Sequence, residues 1–413
     1  MIGTLRQAAD KLTTFLSGHY EPLSPVTFSR AIDCARVILV LGLTFIHYVS
    51  FPESTATAGG GIDPNAHGVA TFTNSFVYYF LASGLRPLYA LIAGWFFFPY
   101  DANPRLTLHR RIGKRLRSLL IPLVLWSSIY LLVLGILHHL NPDHPIFATF
   151  GFDFDGANPF DYVDAMVGVT NAPINYPFWF VRDLLVCVLI SPILWWFLDN
   201  APLRGALLVS LIWIGKFRMG IFMEPVVLAF FYFGGMLRRH ELMVTVSKNT
   251  TIILVGLVLI YAALRALAPI YLPPSLSFDH FPLTLVARMS RLLCVVAFWS
   301  FFVVLARTSI GARIARYGGP SFFFFAAHAL VLAQVKILLW PLLPHDTDAW
   351  MLTHYAASIT LTIGSLFLLG IALSKFTPRF FALLTGGRVK VHTPQPKSAP
   401  VPAPAAVSSE GTA

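Results

Sequence analysis

Long apolar stretches separated by short polar ones dominate the chain. They fall at 31–50, 73–98, 118–138, 178–198, 204–217, 222–237, 250–268, 283–306, 320–340 and 350–374. Most are close to the ~20 residues that a helix needs to cross a hydrocarbon layer. The pattern predicts an all-α, polytopic integral membrane protein of about ten transmembrane helices, the fifth and sixth being the least sharply bounded. Composition agrees: 56% of residues are hydrophobic and only 12% charged, which excludes an ordinary soluble domain.

The placement of lysine and arginine orients this array, because short loops kept in the cytoplasm carry them in excess. With the N-terminus inside, the inner segments hold Arg6, Lys11 and Arg30, then Arg105 to Arg117, Arg204, Arg238, Arg239 and Lys248, Arg307, Arg313 and Arg316, and finally Lys375, Arg379, Arg388 and Lys390. The outer segments 51–72, 139–177, 269–282 and 341–349 hold none. Both termini are therefore expected in the cytoplasm. The net charge of +11 then reflects topology, and a nucleic-acid partner is not expected. Three regions follow: a cytoplasmic segment 1–30, a transmembrane domain 31–375, and a cytoplasmic tail 376–413 whose Pro/Ala/Ser-rich composition predicts disorder from about 391. Leu5, Leu12, Phe15 and Leu16 suggest one face of an interfacial helix on the membrane lipid.

Charged residues inside the spans carry the functional signal, since each costs ~2.5–3.5 kcal/mol at a helix centre on insertion scales. In the first span Arg36 and His47 bracket ten residues, nine of them apolar or glycine, with Asp33 just upstream. Eleven residues at ~100° return to within ~20° of the start, so both side chains share a face, ~16 Å apart along the axis. Asp33 can pair with Arg36 one turn away, and His47, about a turn from the outer end, suits a general base. In the fourth span Arg182 and Asp183 are adjacent and ~100° apart, so at least one is expected to find its partner on another helix. Arg288 and Arg291 lie a turn apart in the eighth span, and Glu224 enters the sixth from outside. One arginine is expected to pair with Glu224 or Asp183 and another to offer a positive pocket. His328 and Lys336 fall within the ninth span.

On the inner side, Arg110, Arg111, Lys114, Arg115 and Arg117 lead into the third span. They serve as a topology signal and equally as a phosphate-binding patch for an anionic donor such as a coenzyme A thioester. The long outer loop carries Asp143, Asp153, Asp155, Asp161 and Asp164 among aromatics and prolines, a mixture that suits sugar hydroxyls and rings or, alternatively, a structured lid. Cys34, Cys187 and Cys294 have no metal-ligand spacing, so no metal is expected. Walker, HExxH, Rossmann and GxSxG patterns are missing.

Several segments in series resemble acyltransferase family 3. They are Ile32-Asp33 with Arg36 to His47, the basic entry KRLRSLLIP, FWFVRDLLVCVLISPIL, and the aromatic-His stretch SFFFFAAHALVL, covering about residues 28 to 375 in order. Two positions depart from the family pattern: Ser118 follows Arg115 where a second arginine is common, and Ala93-Gly94-Trp95 replaces a Ser-Gly-Phe turn. The resemblance implies a multi-pass protein of the bacterial cytoplasmic (inner) membrane. Its implied reaction moves an acyl group, most often acetyl, from cytoplasmic acyl-CoA, with no bound cofactor, to a hydroxyl of an extracytoplasmic glycan, glycolipid or other envelope acceptor. Envelope-polysaccharide assembly proteins are the implied partners. His47 would act as general base or as acyl carrier, with Arg36 and Asp33 completing the catalytic set. The competing class is a transporter or flippase for an envelope-polymer precursor, in which midplane charges bind substrate and no bond breaks. A scaffold in such an assembly machine is a third reading.

Overall fold

The computed structural model describes residues 23–48, 68–99, 104–241, 246–271 and 283–389. The apolar face around Leu5 to Leu16 and the tail from 391 lie outside them. Every regular element among the described residues is helical: α1 (Pro25–Ile46), α2 (Gly68–Phe97), α3 (Pro104–Leu140), α4 (Pro159–Val167), α5 (Trp179–Leu189), α6 (Ser191–Asn200), α7 (Pro202–Gly215), α8 (Val226–Arg239), α9 (Lys248–Tyr271), α10 (Leu283–Ala306), α11 (Ser309–Ile314), α12 (Ser321–Leu339), α13 (Asp348–Phe376) and α14 (Pro378–Leu384). Each predicted span coincides with a helix or a helix pair. Six of these helices, α2, α3, α9, α10, α12 and α13, are long and apolar enough to cross a membrane. The short pair α7 and α8 has 14 residues in each helix, about 21 Å against a core of about 30 Å.

Two boundaries differ from the sequence pattern. The first helix starts at Pro25, where the Ser24 hydroxyl caps the Thr27 N–H at 3.2 Å, and stops at Ile46. His47 is thus the C-cap residue, its own N–H bonded to the Leu43 carbonyl, and not a turn inside the helix. The fourth span is broken, with α5 and α6 meeting at 60°. Pro192 has no N–H for the Val188 carbonyl, and the Ser191 hydroxyl donates to that carbonyl instead, at 2.6 Å.

The helices pack closely where side chains are small. α2 and α8 cross at Gly94 and Gly234: a Cβ on Gly94 would strike the Phe231 carbonyl, and one on Gly234 the Leu91 carbonyl. Gly94, the centre of the Ala-Gly-Trp triplet, is therefore a contact point between backbones. α1 lies among α2, α10 and α12, which brings its polar positions against three other helices. Outside the bundle, α4 is folded by a capping box between Asn158 and Asp161 and ends at Gly168 in the left-handed region.

Candidate active site

His47 and His328 meet at the C-terminal end of α1. His47 Nδ1 lies 2.8 Å from His328 Nε2, with the rings nearly parallel. The tautomers follow from the other end of the chain of bonds. His328 Nδ1 faces the Phe325 and Phe324 carbonyls at 2.8 and 3.1 Å; carbonyls only accept, so Nδ1 carries the proton and Nε2 a lone pair. His47 must then donate from Nδ1, leaving the lone pair of its Nε2 as the open end of the relay. Backbone carbonyls thus do for this pair what a carboxylate does in a catalytic triad.

Neighbouring elements hold this relay in place. The Tyr130 hydroxyl on α3 donates to the Ala326 carbonyl at 3.0 Å and accepts from the Leu330 N–H at 3.1 Å, two groups that a straight helix pairs with each other. Asn175 adds a second donor to the Ala326 carbonyl, at 2.9 Å. That bond anchors the segment before α5 beside His328, where the Tyr176 ring stands edge-on to His47 with centroids 5.1 Å apart.

A cavity of about 380 Å³ opens at His47, lined also by Tyr78, Arg86, Thr149, Tyr176 and Lys336. Arg86 on α2 was not singled out in the sequence, although an arginine beside Pro87 in mid-helix is as costly as Arg36. It lies over the Trp179 ring at 5.4 Å. Lys336 is buried and donates to the Tyr48 carbonyl at 3.3 Å. Its helix is tied by His354, which accepts from the Tyr48 hydroxyl at 2.6 Å and donates to the Lys336 carbonyl at 3.2 Å. Above this cavity a second, of about 460 Å³, is lined by Phe150, Phe152, Asp153, Asp161, Asp164 and Asn171, and shares Thr149 and Tyr176 with the first.

The acids of residues 153–164 bond mainly within their own segment. Asp164 accepts from the Thr170 N–H at 2.6 Å, the Thr170 hydroxyl at 2.7 Å and the Asn171 side chain at 2.9 Å. Burial alone would raise its carboxyl, but these bonds outweigh it and hold Asp164 below the ordinary carboxylate range. Asp155 reaches His138 at 3.2 Å. Asp153 caps the Gly156 N–H at 3.0 Å and Asp161 the Asn158 N–H at 2.8 Å, each through one carboxylate oxygen.

Near the middle of α1 Arg36 pairs with Asp33 at 2.9 Å, as the one-turn spacing predicts, and its carbonyl accepts from the Tyr89 hydroxyl. Arg36 and Arg111 lie around Arg115. Arg388, which sequence reasoning left in the topology count, joins them over the Phe322 ring at 4.0 Å. Desolvation and the nearby charges of Arg36 and Arg115 press it down to about 10. Arg111 itself is committed to the Phe96 and Phe97 carbonyls at the end of α2, while Arg110, Lys114 and Arg117 are exposed.

Two expectations about charge pairing are corrected. Arg182 and Asp183 do pair with each other, at 3.0 Å, and their remaining partners are backbone groups. Arg182 donates to the Gly168 carbonyl at 2.8 Å and to the Ile221 carbonyl, and Asp183 accepts from the Glu224 N–H at 2.8 Å and the Met223 N–H at 3.1 Å. Adjacent side chains on a helix splay apart at Cβ, but an arginine is long enough to fold back. Glu224 takes Arg218, at 3.6 Å, and neither Arg288 nor Arg291 forms an ion pair with Glu224 or Asp183 among the described residues. Arg291 instead has Arg86, Glu224 and Arg288 in its surroundings.

The acyltransferase domain model matches residues 29–381, from the first turns of α1 into α14. The succinoglycan biosynthesis protein ExoH of Rhizobium meliloti is 24% identical over 365 residues, covering 87% of this chain and 92% of that protein. No solved structure matches. The match spans most of the chain, and the chain belongs to acyltransferase family 3, a family of multi-pass membrane acyltransferases.

Proposed function

We propose that the protein is a membrane O-acyltransferase that carries an acyl group from cytoplasmic acyl-CoA to a hydroxyl of an extracytoplasmic glycan. The observation that carries this reading is the His328–His47 relay opening on a cavity with cationic walls. His47 Nε2 takes the proton of the acceptor hydroxyl as its oxygen attacks the thioester carbonyl. A cation of the cavity, Arg86 or Lys336, steadies the oxyanion, and the collapsing intermediate expels the CoA thiolate, which recovers the proton from His47. The His47–His328 bond keeps the lone pair on Nε2 before attack and spreads the positive charge afterwards.

The donor reading draws support from the inner arginines. Arg36, near the middle of α1, crowds its positive charge with those of Arg115 and Arg388, an arrangement that a diphosphate relieves. Arg36 and His47 are separated by ~16 Å of helix, a span that the pantetheine arm of CoA can bridge. The glycan reading rests on the outer cavity, where phenylalanine rings offer stacking surface and Asp153 and Asp161 each keep a second oxygen for sugar hydroxyls. It also agrees with a relative named for biosynthesis of a polysaccharide. In this reading ten crossings of the bacterial inner membrane, with both termini in the cytoplasm, supply the needed polarity.

Purified protein given labelled acetyl-CoA and a panel of oligosaccharides is expected to release CoA and label an ester-bearing product. Release of neither across the panel would favour a transporter. Label retained on the wild-type protein without acceptor, and lost in His47→Ala, would assign a two-step route through an acyl-histidine.

A further inference from the structure

Away from the histidine relay, α1, α2, α8 and α10 leave a cleft near the end of the bundle where α1 and α3 start and α2 and α8 finish. Every side chain that lines it is aliphatic or aromatic. Ile32, Leu88 and Val295 form a buried floor, while Phe28, Phe96 and Trp299 form a partly exposed rim. Packing explains why it stays open. Gly94 and Gly234 let the backbones of α2 and α8 touch, whereas beside that contact the Phe28 ring stands 5.9 Å from Trp95 and 5.6 Å from Trp299, holding α1 and α10 off. From Leu88 to Phe96 the cleft follows α2 for ~12 Å. Its walls forfeit contacts on the empty side, and in a bilayer a hydrocarbon chain restores them. Hydrocarbon is as apolar as leucine, so such walls do not choose one lipid over another. The choice falls to charge at the mouth.

That charge is positive. Arg238, next in the chain after the cleft residue Leu237, lies over the Trp95 ring at 5.5 Å. Arg111 reaches the Phe96 and Phe97 carbonyls, both through Nη1, which is one of the three nitrogens of a guanidinium that can donate. Residues 99–118 hold six basic side chains against the single Asp101, so an excess of positive charge remains whichever of them pair. We propose that the cleft is a binding site for an anionic phospholipid, with one acyl chain laid between Leu88 and Phe96 and the phosphodiester received by Arg238 and Arg111. The cleft shares no lining residue with the cavity at His47, so this site and the acyl-transfer reading stand or fall separately.

Tryptophan quenching tests the site, because bromine on an acyl chain quenches a neighbouring indole and Trp299 lines the cleft. Full-length protein is placed in phosphatidylcholine nanodiscs that carry, as a minor lipid, either phosphatidylglycerol or phosphatidylcholine brominated on its chains. Comparison with Trp299→Phe isolates the signal of that one residue. The brominated phosphatidylglycerol is expected to quench it at least about fivefold more effectively. Arg238→Gln combined with Arg111→Gln should bring the ratio to one, and Arg238→Lys should keep most of it, since a phosphate also accepts from a point charge. Val296→Phe fills the cleft and leaves both arginines in place; it should weaken quenching of Trp299 by either lipid, which a general attraction of anionic lipid to a basic surface does not predict. Equal quenching by the two lipids in the wild type, or a preference that survives the double glutamine variant, overturns the proposal. So does quenching that emerges only when residues 1–22 are deleted, which would make the N-terminal segment the occupant.

Discussion

Arg182 and Asp183 on α5 and the group of Arg86, Lys336 and His47 on α2, α12 and α1 are both charge placed in the apolar body of the protein, and their surroundings differ completely. The α5 pair is closed: Asp183 is wholly buried, and the partners around the two side chains come from the backbone at 168–169 and 221–224. The cavity group is open, with two basic side chains and a histidine lone pair lining one space. A charge whose bonding capacity is used up holds the chain together; a charge left facing a cavity is available to something that is not part of the chain. Asp164 repeats the first case on α4, where a carboxylate that looked suited to sugar is spent on Thr170 and Asn171.

The widest separation between the two groups is expected from His47→Gln. It should lower acyl transfer by about 10³-fold, the middle of the range for a general base, and leave the melting temperature in detergent within a degree or two. A variant retaining a tenth of the activity would remove the cavity from the chemistry. Asp183→Ala should do the reverse. Leaving the Arg182 guanidinium buried without its partner costs about 3–5 kcal/mol, seen as loss of monodisperse protein and a lower melting temperature. Replacing both residues of the pair with leucine and methionine should recover much of that loss, which separates clamp from catalyst.

Smaller effects sharpen the comparison. His328→Phe removes the acceptor that orients His47 and should slow transfer roughly 10- to 100-fold. His328→Gln, which can still accept from His47, should recover most of the rate and shift the pH profile less. Asp164→Asn is expected to cost about 1–3 kcal/mol at neutral pH. Because the folded carboxyl lies below its unfolded value, its contribution is complete above the unfolded pKa near ~3.9 and is lost as pH falls through the folded one. The gap in melting temperature between wild type and variant should therefore narrow on acidification; a constant gap would mean that the side chain's shape matters and its charge does not.

The helices were legible because burial in lipid leaves a simple one-dimensional trace: long apolar runs interrupted by basic loops. The Asp33–Arg36 pair was equally legible, since partners a turn apart depend only on helical rise. Sequence reasoning went wrong where a contact crossed the chain or a local break intervened. It denied Arg182 and Asp183 each other as partners and sent at least one of them to another helix, continued a helix through Pro192, and set His47 a turn inside a helix that stops at Ile46. It also passed over Arg86 and gave Arg388 only a topological role, because each is defined by residues tens to hundreds of positions away.

The sequence by itself determined that this chain is a bundle of apolar helices with a costly polar face in the first of them, because hydropathy and helical periodicity are local properties. The tertiary structure decided what that face can do. Only packing α1 against α12 brings His47 to His328, only the backbone around His328 sets the tautomer, and only the meeting of α1, α2 and α12 leaves Arg86 and Lys336 together in an open space. Those relations depend on distances between segments up to 281 positions apart, which no repeat along the chain encodes.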